Sequence, residues 1–178
     1  MLKQSLHKVD HILQAIHLYH NNKRRETEIT SVNLKEVIDF VISSIQHPMM
    51  AQTRVTMNVD SALCVKLDSF RLRIILRQAI MNALQFAFVS DEMCEMSIAA
   101  SLDQDQLSIH ITDNGPGFPE EILEQRKLFI QRGSAVSTGL GIGISTMQEA
   151  AQRMRGELVL SNHESGGACV RLSLPYLL

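Results

Sequence analysis

The chain has 178 residues, of which 17 are basic and 19 acidic, so its formal net charge is −2. This balance gives no electrostatic reason to expect a nucleic-acid partner. Apolar residues make up 45% of the chain, which is enough for a buried core. No window approaches the length of unbroken apolar sequence that a transmembrane helix needs. The cysteines Cys64, Cys94 and Cys169 lack the spacing of a disulfide framework or a zinc site, which favours a reducing, cytoplasmic setting.

Residues 2–20 predict one helix with a heptad seam. The seam steps by four and three residues through Leu2, Leu6, Val9, Leu13, Ile16 and His20. A helix under three heptads long is marginal alone, so this one needs partner helices. We expect residues 1–22 to form a helical packing unit, residues 23–32 a polar linker, and residues 33–178 a separate domain.

Two capped helices and two strands open that domain. Asn33 can cap a helix, with Glu36 three residues later, and Pro48 ends it. The segments "TRVTMNV" and "LCVKL" alternate like strands. Asp68 is a second plausible cap, and apolar residues at helical spacing follow it as far as residue 88.

The rest of the chain predicts two strand pairs separated by helices. The segments "EMSIAAS" and "QLSIHIT" read as a hairpin, and "PEEILEQRKLF" as a short helix. The segment "GIGISTMQEAAQRMR" reads as a helix with Gly156 as its C-cap, and "ELVLSN" and "GACVRLSLP" read as a last pair. This order predicts an α+β fold, with helices on one face of a mixed sheet.

Three features interrupt this core-forming pattern. Gln78, Asn82 and Gln85 share one helix face, which is either a solvated polar face or a row of ligands, since an Asn oxygen suits Mg²⁺. The segment "DNGPG" places Asp113 at a strand end before two glycines, although alone it predicts only a turn. The segment "STGLGIGIS" opens a helix with glycines, and the free N–H groups there favour phosphate. Together these features predict a nucleotide pocket.

The motifs resemble those of the ATP-binding domain of sensor histidine kinases, in the GHKL superfamily shared with gyrase, MutL and the Hsp-type chaperone ATPases. The segment "QAIMNALQF" resembles the N box "NxxxNAxK(F/Y)", "DNGPG" resembles "DxGxG", and "STGLGIGI" resembles "GxGLGLxI". The resemblance covers about residues 33–178 and extends to the closing strands. It implies a two-layer fold in which helices cover one face of a mixed sheet.

The resemblance implies ATP and Mg²⁺ as ligands and assigns roles by position. Asn82 would ligate Mg²⁺, and Asp113 would accept a hydrogen bond from the adenine amine. Gly115 and Gly117 would border the adenine, and residues 118–138 would form a lid over ATP. The other implied nucleotide-binding residues are Gln85, Phe86, Thr138, Gly139, Leu140 and Gly141, the last four around the phosphates. Gln78 is the candidate catalytic residue.

Two positions depart from the family pattern. Gln78 replaces the first Asn of the N box, and Gln85 replaces a Lys that contacts phosphate. The second change removes a positive charge from the triphosphate site, so we expect weaker ATP binding or a compensating lid cation. Arg126, Lys127 and Arg132 lie in the lid segment, although a solvated surface charge is the more ordinary role for any one of them.

The N-terminal helix resembles the second helix of a kinase dimerisation domain. The family's acceptor string "HExRTPL" does not occur in the chain, and its pattern follows none of His7, His11, His17 and His20. We therefore expect a kinase fragment whose acceptor histidine lies elsewhere. The resemblance implies three partners: a second copy joined through this helix, an acceptor histidine domain, and a response regulator receiver domain. Whether the parent kinase is anchored in a membrane stays open.

The implied function is that of a protein-histidine kinase in two-component signal transduction. It binds Mg²⁺·ATP and donates the γ-phosphate to a histidine. Two alternatives stay open. One is an anti-sigma-factor-like serine kinase, which would use the same pocket. The other is a degenerate pseudokinase that acts as a dimerising interaction module, which Gln78 and Gln85 favour.

Overall fold

The computed structural model describes residues 19–86, 93–103, 105–124, 142–164 and 166–176. In these ranges no helix is long and apolar enough to cross a membrane. The predicted helix at 2–20 lies almost wholly outside them, and only residues 19–24 are seen to be helical.

The main sheet is mixed, as the sequence predicts. Its strands are β2 (Arg54–Asn58), β4 (Glu95–Asp103), β5 (Gln106–Asp113), β6 (Glu157–Asn162) and β7 (Ala168–Pro175). They lie in the order β2-β4-β5-β7-β6. β2 pairs with β4 in parallel, and the other neighbouring pairs are antiparallel. The predicted hairpin is therefore the β4–β5 pair, and the closing strands are the β6–β7 pair.

One face of this sheet is covered by helices. The longer helices are α1 (Leu34–Ser44), α2 (Ser69–Phe86) and α3 (Ile142–Arg153). Buried residues alternate with less buried ones along β5 and β7 and in the first half of β4, which is the period of two of a half-buried sheet. The buried strand residues include Met96, Ile98, Leu107, Ile109, Ile111, Val170, Leu172 and Leu174. α2 contacts β5 and α3 contacts β6, so the predicted α+β class is confirmed.

Side-chain caps begin α1 and α2 at the predicted residues. The Asn33 side chain accepts a hydrogen bond from the Glu36 amide at 3.1 Å. Asp68 Oδ1 accepts one from the Arg71 amide at 3.0 Å. Each bond satisfies a backbone donor that the helix itself cannot use.

The segment between the N-terminal helix and α1 differs from the predicted linker. The helical turns at residues 19–24 extend past the predicted boundary at residue 22. The last residues of the supposed linker form β1 (Thr30–Asn33), which pairs antiparallel with β3 (Cys64–Leu67) in a separate sheet. The strand has four residues, two exposed and two half-buried, which is too short to show a strand pattern in the sequence. Its pairing with β3 joins residues more than 30 positions apart.

The end of α3 also differs in detail. The left-handed residue is Arg155, with φ of 58°, and not the predicted Gly156. The Gly156 amide donates to Ala151 O and the Arg155 amide to Gln152 O, the two bonds of a Schellman motif with Arg155 at C′. Gly156 is needed for space, since a Cβ there would lie 2.6 Å from Ser173 O.

Candidate functional site

Asp113, at the end of β5, is fixed through one carboxylate oxygen. Its Oδ1 accepts hydrogen bonds from the Gly115 amide at 2.9 Å and the Ala168 amide at 3.1 Å. The first bond closes the turn after the strand, and the second ties the turn to the start of β7. Both bonds use Oδ1, so the second oxygen of this half-buried side chain remains able to accept a bond from a ligand.

The backbone beside Asp113 leaves room only for glycine. Gly167 has φ of +92°, and a Cβ built on it would lie 1.8 Å from the carbonyl oxygen of Asp113. Since no side chain fits such a gap, the glycine allows the turn before β7 to lie directly against the end of β5. Gly167 is therefore part of the support of Asp113.

Asn114 extends the pairing of β5 with β4 beyond the last strand residue. Its Oδ1 accepts from the Glu95 amide at 2.8 Å, and its Nδ2 donates to Met93 O at 2.9 Å. Its own amide donates to Glu95 O at 3.1 Å. The Asn114 side chain thus continues the hydrogen-bond pattern between β5 and β4 and holds the turn against the start of β4.

A second amide side chain holds the following residues. Asn162, at the end of β6, accepts from the Phe118 amide at 2.7 Å and donates to Phe118 O at 2.9 Å. Gly117 has φ of +80°, and a Cβ on it would lie 2.7 Å from Asn162 Oδ1. Gly117 therefore has to be glycine both for its positive φ and for this close approach, whereas Gly115 is not among the glycines with positive φ.

Replacing Asn162 by Asp is expected to lower the free energy of unfolding by about 1–2 kcal/mol. The carboxylate keeps an acceptor for the Phe118 amide but cannot donate to Phe118 O, and it repels that oxygen. Urea unfolding measures the change, with Asn58→Asp on the exposed edge strand β2 as the matched control. Equal stabilities of the two variants would refute this role of Asn162.

The amide row on α2 lies against the start of α3. A Cβ built on Gly143 would lie 3.0 Å from Gln78 Oε1 and 4.0 Å from Asn82 Oδ1. Gln78 and Asn82 are half-buried, whereas Gln85 is exposed. Their shared face therefore packs against another helix at Gln78 and Asn82 and is solvated at Gln85.

Several predicted site residues lie outside the described residues. These are Thr138, Gly139, Leu140 and Gly141, the lid cations Arg126, Lys127 and Arg132, and most of the lid segment 118–138. Residues 120–124 are helical, as the start of the predicted short helix requires. The backbone of Phe86 closes α2.

The predicted site did not include four residues that shape it: Asn114, Gly143, Asn162 and Gly167. Asn162 and Gly167 flank a turn that reads as an ordinary strand connection. Their contacts to Phe118 and Asp113 join segments more than 40 residues apart, which no local pattern encodes. Asn114 had a signal, since an Asn directly after a strand often bonds to nearby backbone.

Comparison with known proteins decides the family. Residues 67–178 match the family described as histidine kinase-, DNA gyrase B-, and HSP90-like ATPase. The chain belongs to this ATPase family. Asp113, Asn82 and the start of α3 all lie within the matched residues, so the described site is part of an ATP-binding domain.

Named relatives of this ATPase domain are sensor kinases. The C4-dicarboxylate transport sensor protein DctB of Pseudomonas aeruginosa is 31% identical over 170 residues, which is 92% of this chain and 27% of DctB. The chain thus spans about a quarter of that relative. The solved catalytic domain of histidine kinase ThkA has a TM-score of 0.68 at 23% identity, over 83% of this chain and 97% of that one.

A second ThkA structure shows the same fold over more of the chain. ThkA in complex with the response regulator protein TrrA has a TM-score of 0.70 at 21% identity, over 98% of this chain and 49% of that one. At this identity the likeness shows the fold alone. Family and relatives together indicate an ATPase domain of the histidine kinase type, and they do not favour the serine kinase or the pseudokinase.

Proposed function

We propose that this ATPase domain binds Mg²⁺·ATP and donates the γ-phosphate to a histidine in two-component signal transduction. The observation that carries the proposal is the fixed Asp113 carboxylate at the end of β5. Catalysis would consist mainly of positioning the reactants and neutralising the phosphate charge, because phosphoryl transfer requires little covalent participation by the protein.

Asp113 supports the adenine end of the proposed site. An ionised carboxylate is only an acceptor, and the adenine amine is a donor. The two backbone bonds to Oδ1 hold the group in place before a ligand arrives, which lowers the entropy cost of binding. Gly115 and Gly117 follow in the chain and would border the base, as the family resemblance implies.

Asn82 supports a Mg²⁺ ion at the phosphate end. Among the described residues, no group of three or more His, Cys, Asp or Glu side chains could hold a metal alone. A site with few protein oxygens suits Mg²⁺, which is commonly bound through one or two side chains together with substrate phosphates and water. The Asn82 oxygen fits that chemistry, and when bound the ion would offset phosphate charge.

Replacing Asn82 by Ala is expected to abolish the gain in ATP affinity that Mg²⁺ provides. ATP should bind the wild-type domain more tightly with Mg²⁺ than with EDTA, and the variant should bind equally in both. At saturating Mg²⁺ we expect the variant to bind ATP about 10-fold or more weakly than the wild type does. Calorimetric titration measures it, with Arg77→Ala on an exposed position of α2 as the control. An unchanged Mg²⁺ effect in Asn82→Ala would exclude Asn82 as a ligand.

The remaining roles follow from the resemblance. Thr138, Gly139, Leu140 and Gly141 would surround the phosphates just before α3, where free helical N–H groups favour anions. Gln78 is proposed to act beside Asn82, and its contact with Gly143 supports a place at the start of α3. Gln85 and Phe86 would complete the nucleotide site. Gln85 brings no charge, so a lid cation is proposed to compensate.

The proposed partners are those of a two-component kinase. The ThkA–TrrA complex supports a response regulator receiver domain as one partner. A second copy joined through the N-terminal helix and a domain carrying the acceptor histidine are the others. The proposed setting is the cytoplasm.

A further inference from the structure

A buried ion pair joins the N-terminal segment to the ATPase domain. Asp68 caps α2, and Arg71 lies in its first turn. Their side chains are 1% and 0% exposed, and Asp68 Oδ2 bonds to Arg71 Nη1. A buried charge needs further hydrogen bonds to offset its loss of water, and the partners of this guanidinium come mostly from residues 22–27.

Arg71 binds the carbonyl end of the N-terminal helix. Its Nη2 donates to Asn22 O at 3.1 Å and to Arg25 O at 2.5 Å. Its Nη1 donates to Thr27 Oγ1 at 3.3 Å and to Glu26 O at 3.5 Å. The last carbonyls of a helix lack internal partners and carry partial negative charge, so a cation there is favourable. Arg71 thus caps a helix about 45 residues earlier in the chain.

Asp68 holds the same segment from its other side. Its Oδ2 also accepts a bond from the Glu28 amide at 3.3 Å. The Arg25 guanidinium lies 4.6 Å from the centre of the Phe70 ring on α2. Residues 22–28 are therefore fixed at several points, all of them on the first turn of α2 or on its cap.

The joint is not arranged for stability alone. The side-chain oxygen and nitrogen of Asn22 are buried without hydrogen-bond partners, and so is Arg71 Nε. Unpartnered buried groups cost stability, and an apolar residue of similar size at position 22 would avoid that cost. These buried polar contacts are therefore better explained by a role in setting the direction of the N-terminal helix than by a gain in stability.

We propose that Asp68 and Arg71 form a clasp that fixes the direction in which the N-terminal helix meets the ATPase domain, which makes Arg71 a positioning residue for phosphotransfer. Arg71 and Asn82 share α2 and lie about 16 Å apart along its axis. The direction of the N-terminal helix is thereby set relative to the nucleotide site. The positioning role rests on the proposed function, whereas the clasp itself does not.

Distance measurement between two spin labels tests the clasp. One label replaces His20 through His20→Cys, and the other uses the exposed Cys64, with Cys94→Ala and Cys169→Ser to prevent further labelling. We expect a narrow distance distribution in the otherwise unaltered chain. Arg71→Lys keeps the charge but has too few donors for both sides of the joint, so the distribution should broaden about twofold. Arg73→Lys, at an exposed position two residues on, is the control.

A second pair of variants leaves the buried charges untouched. Glu28→Pro removes the amide that donates to Asp68, and Glu28→Ala keeps it. Only the proline variant should broaden the distribution. An unchanged distance distribution in folded Arg71→Lys would overturn the clasp. If Arg71→Lys does not fold, an unchanged distribution in Glu28→Pro would overturn it.

The positioning role has its own readout. In a kinase that carries the acceptor histidine and this chain, Arg71→Lys should lower kcat for autophosphorylation about tenfold while KM for ATP stays unchanged. A loss of kcat/KM that comes from a raised KM, or an unchanged kcat, would overturn the positioning role. Absence of ATP binding in the unaltered chain would reject the proposed function and leave the spin-label result standing.

Discussion

Asp113→Asn is expected to weaken ATP binding by about 10- to 100-fold, the effect of losing one charged hydrogen bond. The substitution separates the two tasks of this side chain. The Asn oxygen can still accept from the Gly115 and Ala168 amides, so the turn should stay in place. The Asn nitrogen then presents donors where the carboxylate presented an acceptor, and it meets the adenine amine as a like group.

Titration of a fluorescent ATP analogue measures this effect, with thermal unfolding as a check on the fold. Asp103→Asn, at the exposed end of β4, is the matched control and should bind as the wild type does. ATP binding that is equally tight in Asp113→Asn and the control would refute the adenine assignment.

Gly167→Ala is expected to lower the free energy of unfolding by about 3–5 kcal/mol, an unusually large loss for one methyl group. The Cβ would lie 1.8 Å from the Asp113 carbonyl oxygen, and the nearby atoms are all backbone. The end of β5 must therefore separate from the turn before β7. ATP binding should weaken too, because Asp113 moves with its backbone.

Gly166→Ala is a close control for this experiment. Gly166 and Gly167 both have φ of +92°, but a Cβ on Gly166 meets nothing within 4 Å. Both variants place an alanine at positive φ, which costs about 1–2 kcal/mol, and only one carries the clash. Urea unfolding of the pair isolates the contact, and equal losses of stability would show that the approach to Asp113 does not matter.

The sequence predicted most of the fold because most elements carry strong local signals. The alternating residues of β4 and β5 and the caps Asn33 and Asp68 are visible without a structure. β1 is not predicted because its four residues, two exposed and two half-buried, are too few to show alternation, and its pairing with β3 joins distant parts of the chain. The left-handed Arg155 was missed because Gly156, the expected residue, is needed one position later for packing against β7.

For the site, local motifs predicted the residues but not their supports. Asp113 and Asn82 lie in recognisable motifs, and their roles remain predictions. The residues that hold Asp113 and Phe118, namely Gly167 and Asn162, come from the closing strands. The clasp joins Arg71 to residues more than 40 positions earlier. Contacts of this kind appear only when the chain is folded.

Phosphotransfer in two steps tests the proposed kinase most directly. Calorimetry first measures binding of Mg²⁺·ATP to the chain. ATP labelled at the γ-phosphate is then supplied with a separate fragment that carries an acceptor histidine. We predict binding, and transfer of the label to that histidine. No binding at millimolar ATP would contradict the nucleotide site, and binding without transfer would contradict the kinase and favour an interaction module.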